Sequence, residues 1–209
     1  MCALFIAMEI KTKYPVVYLN TEEILLPLNE LAHKAKGKIL ETGAEKVNII
    51  AWSRWGLAAR MLACEMPGKI ASVTTVCTPH RGLRTVEKRF GRPAVKCWGK
   101  LAAGKDGDIG SAVCELAPEN MREFNEKYPN SEGVFYQSCA CAMQSAAEDK
   151  RLAAANNIIS IYDGENDGAV SVYSALWGQY GIVRRGVSHL SVGAEIYNEL
   201  IRSLAERGL

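Results

Sequence analysis

The chain has 209 residues, of which 48% are apolar, and a formal net charge of +2. That is enough apolar material for one well-buried domain and too little length for two. The near-neutral charge, with no Lys/Arg stripe interleaved with aromatics, excludes a nucleic-acid surface. No apolar run approaches the roughly 20 residues of a membrane span. Met1 to Met8 is apolar but short and lacks a basic leader, so it does not read as a signal peptide, and a cytoplasmic protein is favoured over a secreted one. The seven cysteines are odd in number and lack paired C-x-x-C spacing. They read as reduced, mostly buried small hydrophobes, with no disulfide framework, zinc site or cofactor implied.

In chain order, Pro15 to Leu19 reads as the first core strand. Leu28, Leu31, Ala32, Ala35, Ile39 and Leu40 follow at helical spacing, and Gly43 is a natural stop. Val47 to Ala51 and Ile70 to Val76 are continuous apolar runs, the pattern of parallel strands buried on both faces. Gly133 to Cys139 and Asn157 to Tyr162 supply two more expected strands, and Val192 to Ala205 a closing helix with Ile196, Leu200 and Leu204 on one face. The interval from Gly82 to Tyr128 holds no strand pattern, only two amphipathic pieces near Val86 to Leu101 and Ser111 to Phe124. Strands alternating with helices predict one α/β domain over 1–209, with a mainly parallel sheet of about five or six strands.

One stretch carries more chemistry than the rest: Val47-Asn48-Ile49-Ile50-Ala51-Trp52-Ser53-Arg54-Trp55-Gly56. A strand breaks at a serine and continues as a helix, the context that lifts a nucleophilic hydroxyl above a sheet edge beside helix-start N–H groups. Alone, such a serine reads more readily as a helix cap. Two later segments add to it: the acid loop Asp163-Gly164-Glu165-Asn166-Asp167-Gly168, and His189 in Val187-Ser188-His189. The order Ser, Asp, His is that of α/β-hydrolases rather than of the other serine-hydrolase folds.

Six collinear segments make the resemblance specific. They are Lys13-Tyr14-Pro15, the elbow, Thr74-Thr75-Val76-Cys77-Thr78-Pro79-His80-Arg81-Gly82, Phe124-Asn125-Glu126-Lys127-Tyr128-Pro129, Glu165-Asn166-Asp167-Gly168 and Ser188-His189. From residue 13 to about 205 the chain resembles the bacterial triacylglycerol lipases of the α/β-hydrolase superfamily. The resemblance implies a serine hydrolase of carboxylic esters, with Ser53 as nucleophile, His189 as base and Asp167 as the acid that orients it. Asp163 and Glu165 are the rival acids. The resemblance also implies an oxyanion hole from the Arg54 N–H and a second donor near Asn20 or Thr21. Trp52, Trp55 and His80 would border the substrate, with His80 bracing its loop. Residues 83–128 occupy the place of a lid or cap, and read equally as an ordinary crossover helix with loops.

The chain departs from that pattern at several points. Trp52 and Trp55 stand where the family has His and Gly, so Trp55 is expected to crowd the turn. The His-Gly end of the first strand is absent, and a loop, a helix and a strand of the usual fold are expected to be missing. Ser191 stands where secreted relatives hold calcium, so no metal is expected there. Arg81, Arg84, Lys88, Arg89 and Arg92 form a basic cluster, read as a solvated face of the cap or as a transient contact with a lipid interface. The expected partner is a small ester or lipid substrate. Two other functions stay open: an impaired relative that binds an acyl ligand without turnover, and acyl transfer to an alcohol. Chain-length preference and oligomeric state are not set by the sequence.

Overall fold

A computed structural model of the chain describes residues 3–6, 15–18, 26–87 and 115–209. Six strands, β1 (Ala3–Ile6), β2 (Val16–Tyr18), β3 (Val47–Trp52), β4 (Ile70–Val76), β5 (Phe135–Ala142) and β6 (Tyr180–Arg185), form one sheet in the order β2-β1-β3-β4-β5-β6. Every neighbouring pair is parallel. All strand ends therefore point to one edge, where open α/β sheets carry their sites.

The pattern of burial follows the sequence. Along β4 every residue is buried, and along β3 all but the last. On β3, Val47, Ile49 and Ala51 face one core and Ile50 the other. On β5, Tyr136 and Ala140 share the first core, while Cys139 and Cys141 share the second. Two helices, α1 (Leu28–Glu41) and α2 (Trp55–Glu65), cover the first face. Ile196, Tyr197, Leu200, Ile201 and Leu204 of the closing helix α7 (Ala194–Ala205) cover the second. Between them come α3 (Arg84–Glu87), α4 (Pro118–Lys127), α5 (Ala153–Asp163) and α6 (Val172–Ala175). No helix of the described residues is long and apolar enough to cross a membrane.

The helix expected after residue 27 ends as read, with Gly43 at φ +63° just past the Thr42 cap. Three strand assignments change. Asn157 to Tyr162 is helical, the latter part of α5, because Leu152, Ala155 and Ile159 recur at helical spacing against the core while Ile161 is exposed. A short apolar run of this kind does not separate strand from helix by period alone. One strand missing from the reading is β6, an edge strand whose Gly181, Arg184 and Arg185 hide the apolar signal. Residues 3–6, read only as part of a short apolar stretch, form β1 and sit inside the sheet between β2 and β3. Asn20 and Thr21, Lys88, Arg89 and Arg92, and most of the 83–128 interval lie outside the described residues. So do Cys2, Cys97 and Cys114; the described cysteines Cys64, Cys77, Cys139 and Cys141 are free thiols.

Candidate active site

Ser53 follows β3 directly and adopts φ +54°, a left-handed conformation rare for a residue with a side chain. Three hydrogen bonds hold it there. Its N–H donates to the Val76 carbonyl at 2.8 Å, and its carbonyl accepts from the Gly56 N–H at 3.0 Å and the Thr78 hydroxyl at 2.7 Å. The turn is tight enough that a Cβ on Gly56 would lie 2.1 Å from Thr78 Oγ1. The crowding expected of Trp55 thus falls on Gly56. Trp55 opens α2 and packs into the core with 6% exposure.

His189 lies past the end of β6. Its Nε2 is 3.0 Å from Ser53 Oγ, and its Nδ1 is 2.7 Å from Asp167 Oδ2. With a neutral imidazole, Nδ1–H donates to the carboxylate and Nε2 accepts from the serine hydroxyl. Asp167 Oδ1 accepts from the Ala169 and Val170 N–H groups at 2.9 and 2.7 Å, and its backbone carbonyl from the His189 N–H at 2.8 Å. The acid loop is docked on the end of β5 by the Met143 N–H, which donates to Asn166 O at 2.8 Å. The Asn166 side chain is in turn held by Asn156, Ser160, Gly164 and Gly168. The two rival carboxylates turn elsewhere: Glu165 pairs with Arg185 and Asp163 with Arg84. Ser53 is 2% exposed, and Asp167 and His189 are fully buried.

Trp52, the last residue of β3, lays its indole against His189, with ring centroids 4.8 Å apart at 39°. The buried indole N–H groups of Trp52 and Trp55 have no hydrogen-bond partner among the described residues. Arg54, which heads α2, is buried and ties the elbow to Leu26 O at 3.0 Å and to the Glu115 carboxylate. Burial lowers its pKa against the raising effect of Glu115.

His80 is fully buried. Thr75 Oγ1 lies 2.9 Å from its Nε2 and Arg60 Nη1 lies 3.3 Å from its Nδ1, while Trp177 stacks on the ring at 5.3 Å. Burial first, then Arg60 and Arg81, keep its pKa well below the ordinary value, so the ring is neutral. Its surroundings are those of a brace. Sequence reasoning missed the centre of that brace, Arg60, because a lone arginine on an apolar helix carries no periodic signal. Arg60 donates to Asn125 Oδ1 and Tyr128 O, both at 2.7 Å, and lies 3.9 Å over the Trp177 ring. Asn125 closes the ring of contacts by donating to His80 O at 2.9 Å. The Phe124-Asn125 and Tyr128 segment thereby meets the Thr78-Pro79-His80 segment through one buried guanidinium.

Cys77, at φ +52° after β4, brings its thiol close behind the acid. Ligand atoms of Cys77, Asp167 and His189 lie within 4.8 Å of one another. A metal held there would have to break the Asp167–His189 hydrogen bond and deprotonate a thiol that burial pushes up to about 12.

No family model matches the chain. Triacylglycerol lipase 2 of Saccharomyces cerevisiae is 29% identical over 190 residues, covering 88% of this chain and 56% of that protein. The chain thus spans little more than half the length of this relative. A triacylglycerol lipase of Pseudarthrobacter phenanthrenivorans is 47% identical over a shorter stretch of 53 residues, 25% of this chain and 17% of that one. Among solved structures, the mature form of a Bacillus licheniformis lipase superposes with a TM-score of 0.70 at 20% identity, over 91% of this chain and 79% of its own. A metagenomic carboxyl esterase does so at 0.68 and 17% identity, over 85% and 55%. The chain thus shares the fold of these lipase and esterase structures, and its sequence is similar to that of triacylglycerol lipases.

Proposed function

We propose that the chain hydrolyses carboxylic esters through Ser53, His189 and Asp167. The observation that carries this reading is the unbroken relay from Ser53 Oγ to His189 Nε2 at 3.0 Å and from Nδ1 to Asp167 at 2.7 Å. Ser53 Oγ attacks the ester carbonyl as Nε2 takes its proton, giving a tetrahedral intermediate and an imidazolium stabilised by Asp167. The intermediate's oxyanion would lie against the Arg54 N–H at the head of α2, where the helix dipole favours negative charge. A second donor is assigned to the Asn20 segment by resemblance alone. Collapse breaks the C–O bond to the alcohol, which takes the proton from His189, and leaves an acyl-serine. Water then attacks that ester by the same proton transfers in reverse order. Lipase names among the relatives support acyl esters, including lipids, as the substrate class.

Hydrolysis of chromogenic esters with short and long acyl chains tests the reading. The expected result is turnover lost in Ser53→Ala, with folding unchanged. A second reading, acyl-ligand binding without turnover, is favoured by the burial of Ser53 at 2% exposure. It predicts acyl-ester binding with no released alcohol.

A further inference from the structure

Arg81, Arg84 and Arg122 line one cavity of about 450 Å³, completed by Pro118, Asn125 and Tyr173. Among the described residues no carboxylate lines it. Arg81 and Arg84 belong to one basic stretch of the chain, and Arg122 comes from a separate place. Arg81 stands on the loop after β4, Arg84 opens α3, and Arg122 lies on α4, the helix that Pro118 begins. The fold brings Arg122 to the other two.

Two of the guanidiniums are held in place. Arg81 Nη1 donates to the carbonyls of Tyr173 and Leu176, both at 2.6 Å. The Tyr173 ring carries Arg81 at 4.9 Å and Arg84 at 5.2 Å from its centroid, so one aromatic ring gathers two like charges. Gathering cations is unfavourable unless an anion offsets them. Among the described residues the three make one ion pair, Arg84 with Asp163 at 3.4 Å. Three positive charges less one negative charge leave two. The N-terminal end of α4 beside Pro118 adds partial positive charge.

We infer that this cavity binds the phosphate group of a phosphate monoester or of phosphate itself. A phosphate monoester carries close to two negative charges at neutral pH and offers three acceptor oxygens to guanidinium forks. A carboxylate would leave one charge uncompensated. The inference goes beyond ester hydrolysis and needs no chemistry at Ser53.

The test is a calorimetric titration of the full chain with inorganic phosphate near neutral pH. Saturable one-to-one binding is expected. It weakens about tenfold or more in Arg122→Gln and in Arg84→Gln, as loss of one charge-assisted contact implies. It also weakens as pH falls through about 6, where the phosphate loses charge. Both substituted side chains are exposed, so folding is not at issue. A second arm titrates a short-chain phosphatidic acid and its neutral diacylglycerol counterpart in competition with phosphate. Competition by the phosphatidic acid alone identifies a lipid headgroup as the source. Phosphate binding without competition identifies free phosphate. No saturable phosphate binding, or binding unchanged by both substitutions, overturns the inference. A failure of ester cleavage leaves these titrations untouched.

Discussion

Gly56 and Thr78 meet where the elbow helix passes the end of β4, so closely that even a methyl group on residue 56 would overlap the threonine side chain. Thr78 in turn donates to Ser53 O, so this contact fixes the left-handed turn that presents the serine.

Gly56→Ala should therefore displace Ser53 rather than merely loosen the core. Overpacking of this kind costs about 1–3 kcal/mol. A shift of about 1 Å at a nucleophile lowers rate about a hundredfold. Chromogenic-ester kinetics and a denaturant midpoint together check this. The expected result is a large fall in kcat with the fold retained. Unchanged kcat would show that the turn does not depend on the contact.

Trp55→Gly should behave in the opposite way to relief of a crowded turn. The indole is buried in the core beside Leu57 and Ala58, so its removal leaves a cavity costing about 3–5 kcal/mol, with about 1 kcal/mol more for glycine in a helix. A lower melting temperature and no gain in kcat are expected. A rise in kcat would restore the view that Trp55 obstructs the elbow.

These two residues also mark how far the sequence could be read. The strand–serine–helix pattern and the chain order of Ser53, Asp167 and His189 were legible, because each residue sits where a strand end or a loop signal is local. The role of Gly56 was not, since it depends on Thr78, a long-range neighbour. The same holds for α5: Ile158-Ile159-Ser160-Ile161 fits a strand locally, and only its packing through Leu152, Ala155 and Ile159 decides for helix. Arg60, and the joining of Arg122 to Arg81 and Arg84, were illegible for the same reason, being made by contacts across the fold.

His80 predicts a pH effect on stability. Its folded pKa is lowered by burial below the unfolded value of about 6.5. The unfolded chain therefore binds more protons below that value, and stability present above pH ~6.5 falls as pH drops. Melting temperatures of the parent and of His80→Asn should show it. The variant is less stable near neutral pH but loses less on acidification. Parallel curves for the two proteins would contradict the assignment.

Asp149 should position the histidine loop. Its buried carboxylate accepts from Ser188 Oγ at 3.0 Å and is gripped twice by Arg151, which holds its pKa down to about 2. Stability from this group is present above pH ~4 and lost as pH falls toward 2. Asp149→Asn should cost about 1–2 kcal/mol. Because Ser188 adjoins His189, kcat should fall more than KM rises, by on the order of tenfold. A stability loss with intact kcat would assign Asp149 a structural role alone.

Labelling with a fluorophosphonate probe tests the central claim most directly, because the probe reacts with an activated serine and leaves a stable adduct. The account predicts stoichiometric labelling at Ser53, absent in Ser53→Ala and strongly slowed in His189→Ala, in step with ester turnover. An unlabelled but folded parent protein, or labelling that survives Ser53→Ala, would contradict it.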